Sequence, residues 1–324
     1  EVLSVDPERH VLDTSEAKSY RYRKLLWAAN LKSLYERTGL SERTARFLGE
    51  GWASKKEQVL GHHGNDSILT LYLGVDLPPE TFAQWCGPHC FYTPETGGLS
   101  ALGTDSWRRI ERDPMLTATD KVIRLTAWSR AYLDKTTYEI SIPVLRNPAL
   151  APEGQTGLAV STLFDYDLTR AIRDAGGYEA WKEDAKTHLI EVLDRSLMPG
   201  LRDKVKFGLV SSPLTLERFS GNADGAITGW AFAPGGVPAE SRFKKISKAV
   251  LTPAPDIYQA GMWTFSPAGL PVAILTGKLA ADPEQLAFAR NNVVGQFVFH
   301  ARSVSLRPCL SSKVNSAAGT GRLK

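Results

Sequence analysis

The sequence predicts a mixed α/β protein: a mostly antiparallel sheet with helices, joined to a unit that closes in a strand–turn–helix. Three observations predict it. Residues 67–77 (SILTLYLGVDL), 136–145 (TTYEISIPVL) and 156–166 (TGLAVSTLFDY) are rich in β-branched and aromatic residues and are separated by polar turns. Tyr178, Trp181, Ala185, Leu189, Leu193 and Leu197 keep to steps of three or four, which makes one apolar face of a helix. Residues 261–282, GMWTFSPAGLPVAILTGKLAAD, read as a strand end, a turn of small residues and a helix.

Taken in order, Val2, Leu3 and Val5 predict a short strand, and Val11 and Leu12 a second one after the turn at Asp6-Pro7. Leu25-Leu26-Trp27 is a continuous apolar run, the pattern of a buried central strand. Ala28-Ala29-Asn30 leads from it into a short helix over residues 31–36. Pro148, Pro152 and Gly154 place a loop between the second and third sheet strands, and Gly200 is a stop beyond the long helix. Residues 204–219 give a strand, a break at Pro213 and a short helix. Glycine-rich loops follow in GNADGAITGW and PGGVP, and Ile257 and Tyr258 fit a buried strand.

The chain has 324 residues, 43% of them hydrophobic, enough for one large or two modest domains. A net charge of +4 without a dense basic patch argues against a nucleic-acid binder. No apolar run is long enough to span a bilayer, and no secretory signal is visible. Cys86, Cys90 and Cys309 make no disulfide framework, so a reducing, cytoplasmic compartment is expected. The chain opens at Glu1 in what reads as mid-domain sequence, which predicts a fragment or a processed product. Five basic and no acidic side chains follow Ala301, and residues 291–324 are expected to be a basic, disordered tail.

The strand–turn–helix has a chemical consequence. Gly261 lets the backbone turn or lets a ligand approach. Pro267 and Gly269 shape the turn, Pro271 suits the first turn of a helix, and Gly277 permits close packing. The helix start carries about half a positive charge and welcomes a pyrophosphate or a polarised ring carbonyl. An ordinary strand–turn–helix without a ligand explains the same residues equally well. GLPVAILTGKL is not a phosphate loop: its spacing is wrong, and Leu279 stands where a hydroxyl residue would hold magnesium. No G-x-G-x-x-G occurs anywhere in the chain.

Four segments, in order, carry a family resemblance over residues 1–285. They are SYRYRKLLWAANLKSLY, EISIPVLRNPALAPEGQTGLAVSTLFDY, GNADGAITGWAF and PDIYQAGMWTFSPAGLPVAILTGKLAAD. Together they resemble the phytoene-desaturase-like FAD-dependent oxidoreductases, the carotenoid desaturase and isomerase relatives among amine-oxidase-type flavoproteins. The resemblance implies a partial FAD-binding domain plus a substrate domain on the antiparallel sheet. It assigns residues 1–38 and 216–290 to the first and 39–215 to the second. It implies FAD as cofactor, held in part by Gly261, Met262, Gly269, Leu270 and Pro271. It implies hydride transfer from an apolar, carotenoid-like or polyene substrate to the flavin; cis–trans isomerisation and a non-catalytic remnant of the same fold are the alternatives. The family's N-terminal βαβ unit is absent, so the half that grips the adenine would come from another segment. Asn30 stands where the family commonly has an acid, and no catalytic acid or base can be named.

Other clusters are weaker. Cys86, His89 and Cys90 with His62-His63 have zinc-ligand types at the wrong spacing, and no metal is expected. Residues 106–113 (SWRRIERD) predict a solvated helix face, with Trp107 beside Arg108 and Arg109 as a candidate membrane contact. Asp165, Asp167 and Asp174 are expected to cap and charge helix starts. Trp230 and Phe232 are core aromatics or, alternatively, tunnel walls.

Overall fold

The computed structural model describes residues 1–282 except Thr104 and Gly235, so the expected basic tail lies outside the described residues. The chain opens with an antiparallel meander of β1 (Val2–Asp6), β2 (Val11–Thr14) and β3 (Ser19–Arg21). Next come β4 (Leu25–Trp27), α1 (Leu31–Arg37) and α2 (Glu42–Leu60). The middle of the chain holds β5 (Ser67–Val75), α3 (Pro79–Trp85), β6 (His89–Tyr92), α4 (Trp107–Arg112), α5 (Ala118–Leu133), β7 (Tyr138–Ser141) and β8 (Thr156–Phe164). It continues through α6 (Tyr166–Asp174), α7 (Tyr178–Arg195), β9 (Val205–Ser211) and α8 (Pro213–Ser220). Short α9 (Ile246–Ala249), β10 (Ile257–Gln259) and α10 (Leu270–Ala281) close the described chain.

The expected antiparallel sheet is present as five strands in the order β6-β7-β8-β5-β9. Its two faces differ because side chains alternate along each strand. Leu69, Leu71 and Leu73 of β5, Leu158 and Val160 of β8 and Val210 of β9 point inward. They form one core with Leu125 of α5, Leu168 and Ile172 of α6, and Trp181, Leu189 and Leu193 of α7. Trp181 also donates from Nε1 to Ser129 Oγ at 3.0 Å, which ties α7 to α5. The outer face is different. Gly157, Ala159 and Ser161 of β8 make a low floor, and Tyr72, Phe207 and Leu209 stand exposed beside it. The Phe207 ring lies over Gly74, where any β-carbon would collide with it.

A second core gathers Val5, Trp27, Leu31, Leu34, Tyr35, Trp230, Ile257 and Trp263. The segment expected to open the substrate domain begins with α2, whose Leu48, Trp52 and Val59 join this second core. Two expectations need correction. Leu25–Trp27 is not a buried central strand: among the described residues β4 pairs only with β10, Leu26 is 42% exposed, and Trp27 alone is buried. An added β-carbon at Gly277 would meet nothing within 4 Å, so its missing side chain answers no close approach.

Candidate functional site

The site forms where β4 and β10 end. The two strands run parallel, with Ile257 opposite Leu25 and Gln259 opposite Trp27. Ala260 N donates to Trp27 O at 2.9 Å, the last rung before the chains part. In open α/β sheets, the crevice beyond such carboxyl ends is where ligands bind.

Each exit is fixed by local chemistry. After Ala28-Ala29, Asn30 caps α1 by accepting from Lys32 N at 3.2 Å, and its Nδ2 donates to Gly221 O at 3.0 Å. Asn30 therefore ties the β4 exit to the left-handed end of α8. Gly261 turns the β10 exit at φ +94°, a conformation that favours glycine. Its N–H donates to the buried Thr276 Oγ1 at 3.1 Å, so α10 holds the strand end in place.

Gly261, Met262, Gly269, Leu270 and Pro271 lie along one turn. Its first half rests on the glycine-rich loop. Trp230 Nε1 donates to Trp263 O at 2.8 Å, and the two rings sit 4.6 Å apart. Gly229, at φ +80°, lies so close that a β-carbon there would fall 2.5 Å from Met262 O. Asn222 Nδ2 approaches Met262 Sδ at 3.7 Å. The second half is open. Gly269 is extended and exposed, and only Pro271 Cδ, at 3.9 Å, is near its missing β-carbon. No side chain caps α10 and no acid stands in its first turn, while Leu270 is 75% exposed. Uncapped first-turn N–H groups and the helix dipole favour an electron-rich partner there.

The same loop joins this turn to the five-stranded sheet. Ile227 N donates to Asp66 O at 2.9 Å, Ser67 Oγ to Gly225 O at 2.6 Å, and Gly64 N to Asp224 Oδ2 at 2.6 Å. Beside it lies a cavity of about 480 Å³, whose walls include Asp165, Asp167, Asp224, Arg108, Trp128 and Tyr132. Asp165 caps α6 by accepting from Leu168 N at 3.0 Å, as expected, and Asp167 lies in that helix's first turn. Asp174 is the last residue of α6, so it charges no helix start. Burial raises the Asp165 carboxyl above the ordinary aspartate range; Leu168 N–H and the Arg108 guanidinium pull it down, and the charge of Asp167 adds to the rise. The carboxylates and Arg108 would meet polar groups of a guest, while Trp128, Tyr132, Leu163 and Phe164 give the cavity apolar walls. A second apolar surface is the outer face of the sheet.

The remaining expectations divide. Trp230 is buried, so it is core, whereas Phe232 is 73% exposed. Trp107 is fully buried under the Arg108 guanidinium, 4.4 Å from its ring, and so offers no membrane anchor. Burial and the neighbouring Cys90 push the Cys86 thiol up to about 12, and His89 Nε2 pairs with Glu139 at 2.8 Å. Among the described residues no group of three or more His, Cys, Asp or Glu could hold a metal ion, and no helix is long and apolar enough to cross a membrane. Sequence reasoning did not place Asn222, Gly229 or Thr276 at the site. Asn30 did carry a readable signal, an Asn immediately before a helical run.

No protein-family model matches the chain. It is 36% identical over 85 residues to the chloroplastic prolycopene isomerase of Arabidopsis thaliana, a match spanning 25% of this chain and 13% of that protein. Chloroplastic prolycopene isomerases 1 and 2 of an Oncidium hybrid cultivar are each 34% identical over 97 residues, 28% of this chain and 16% of theirs. The chain thus spans only about an eighth to a sixth of the length of the curated relatives it matches. Among solved structures it aligns with an oxidoreductase from Methanosarcina mazei at TM-score 0.45 and 10% identity, covering 87% of this chain and 49% of that one. Reduced UDP-galactopyranose mutase aligns at TM-score 0.37 and 11% identity, covering 65% of this chain and 33% of that one.

Proposed function

We propose that this chain is part of an FAD-dependent oxidoreductase acting on an apolar, polyene-like substrate. In this reading residues 1–38 and 216–282 belong to the flavin unit, with α2 packed on its core, and the five-stranded sheet belongs to the substrate unit; the expected end of the flavin unit, 283–290, lies outside the described residues. The observation that carries the reading is the β4–β10 parallel pair, whose exit at Gly261 leads through one turn into α10 with its uncapped start. The cradle fits a flat group: Gly261 and Gly269 leave backbone accessible, and the α10 N–H groups face outward to meet a carbonyl or phosphate. Gly261, Met262, Gly269, Leu270 and Pro271 would hold the ring and ribityl side of FAD. When bound, the flavin supplies a ring that accepts a hydride equivalent. In this reading the residues of the turn orient that ring, and the exposed apolar side chains of the sheet's outer face, Tyr72, Phe207 and Leu209, would meet the apolar substrate. The adenine half finds no G-x-G-x-x-G loop in this sequence and would be gripped by another segment.

The likeness to prolycopene isomerases supports a second reading, in which the flavin serves a cis–trans isomerisation of a polyene without net oxidation. Product analysis after reconstitution separates the two: a change in double-bond number marks desaturation, and an unchanged number with altered geometry marks isomerisation. Titrating the chain with FAD tests the shared part. Weak, saturable binding that Gly269→Val removes is expected, because a β-branched side chain crowds the ligand's approach to the backbone. Unchanged binding in that variant removes Gly269 from the site, and tight stoichiometric binding would contradict the half-site.

A further inference from the structure

We propose that the segment from Arg242 to Lys248 is a docking surface for an anionic lipid bilayer. Four cations lie here, Arg242, Lys244, Lys245 and Lys248, and no acidic residue occurs between Glu240 and Asp256. Arg242 is engaged by Glu240 at 3.0 Å, whereas the three lysines are exposed and make no ion pair with any described residue. In their midst Phe243 is 67% exposed. An apolar ring ringed by lysines is the pattern of an interfacial contact: the ring enters the headgroup region while the ammonium groups meet lipid phosphates and carboxylates. A purely charged partner, such as a nucleic acid, would leave the ring without a role.

The patch is braced from behind. Ala249 and Val250 are buried, and Val250 packs in a small core with Tyr258, Ala260 and Ala280, so α9 has a fixed inner side and its Lys248, like Lys244 and Lys245 before it, is exposed. The Phe243 ring meets the buried Phe265 edge-on at 6.4 Å, and Ser266 N donates to Glu240 O at 3.0 Å. The patch therefore sits on the turn that begins at Gly261. On α10, against which α9 packs, Ile274 and Lys278 lie four residues apart and are both exposed, extending the same mixture of apolar and basic groups. This surface replaces α4, whose tryptophan is buried. Docking here would place the candidate site at the membrane, where an apolar molecule is dissolved; the surface itself does not depend on the flavin reading.

Co-sedimentation of the full chain with phosphatidylcholine vesicles, with and without phosphatidylserine, tests the proposal. Each lysine near an anionic surface strengthens binding about fivefold. The chain is expected to bind only the vesicles with phosphatidylserine and to lose that binding at high salt. Combined Lys244→Glu, Lys245→Glu and Lys248→Glu should weaken it more than tenfold, and Phe243→Ala several-fold. Arg109→Glu with Arg112→Glu on α4 should leave it unchanged. All these side chains are on the surface, and circular dichroism confirms that the variants fold. No binding by the parent chain, binding retained by the triple variant, or a preference for a single-stranded oligonucleotide over the vesicles would overturn the assignment.

Discussion

Replacing Gly229, Gly261 and Gly269 separately by alanine should give three different stability losses, in that order. All three glycines border the same turn, so a general sensitivity of the region would make them alike. At Gly229 two costs add: φ is +80°, and the new β-carbon would lie 2.5 Å from Met262 O and 3.2 Å from Ala268 Cβ. Strain of a left-handed alanine costs about 1–2 kcal/mol, and the backbone overlap adds a further ~1–3 kcal/mol. At Gly261 only the first cost applies, because φ is +94° but the nearest atom, Ala28 O, is 3.7 Å from the added carbon. A loss of about 1–2 kcal/mol is expected. Gly269 has φ 163°, which any residue adopts, and only Pro271 Cδ at 3.9 Å is near. Alanine there should be neutral or stabilise by about 0.4–1 kcal/mol through the unfolded chain. Urea titration followed by far-UV circular dichroism measures all three. Equal losses, or Gly269→Ala as the most damaging, would refute the geometry assigned to this turn.

Further outcomes follow from the same contacts. Trp181→Ala should cost about 3–5 kcal/mol by urea titration, since the indole is buried and its partner Ser129 Oγ is buried with it. Asn30→Ala should cost about 1 kcal/mol by removing the α1 cap together with the bond to Gly221 O. Asp165→Asn should be more stable than the parent at neutral pH. The folded carboxyl binds its proton more tightly than the unfolded one, so native stability falls as pH rises from the ordinary aspartate range through the raised value. Asparagine keeps the cap without the charge. The advantage should vanish at pH below the ordinary aspartate range, and thermal melts across pH measure it.

What could be read in advance depended on how local the cause was. Strands β5 and β8 were legible from composition, because residues 67–77 and 156–166 are rich in β-branched and aromatic residues between polar turns. The α7 face was legible because Trp181, Ala185, Leu189 and Leu193 repeat at helical spacing. Helix α2 escaped because Gly49 and Gly51 interrupt it and its chain kinks at Gly49, φ +70°. β4 misled for another reason. Leu25-Leu26-Trp27 has the composition of a central strand, but burial is a tertiary property, and only one neighbouring strand reaches it among the described residues. At the site, Gly261 and Pro271 announced a strand–turn–helix by their own chemistry. Gly229 and Asn222 did not, because their roles exist only through Met262 and Trp263, more than thirty residues away. Trp107 beside two arginines gave a pattern that fits a membrane contact or a buried ring under a guanidinium, and packing chose the latter.

Hydrogen–deuterium exchange of the chain, with and without excess FAD, bears most directly on the central claim. Slower exchange is expected at Gly261 and across the first turn of α10, at Leu270, Val272 and Ala273, with little change in α7. Protection confined to other segments, or none at these amides while FAD is bound, would contradict it.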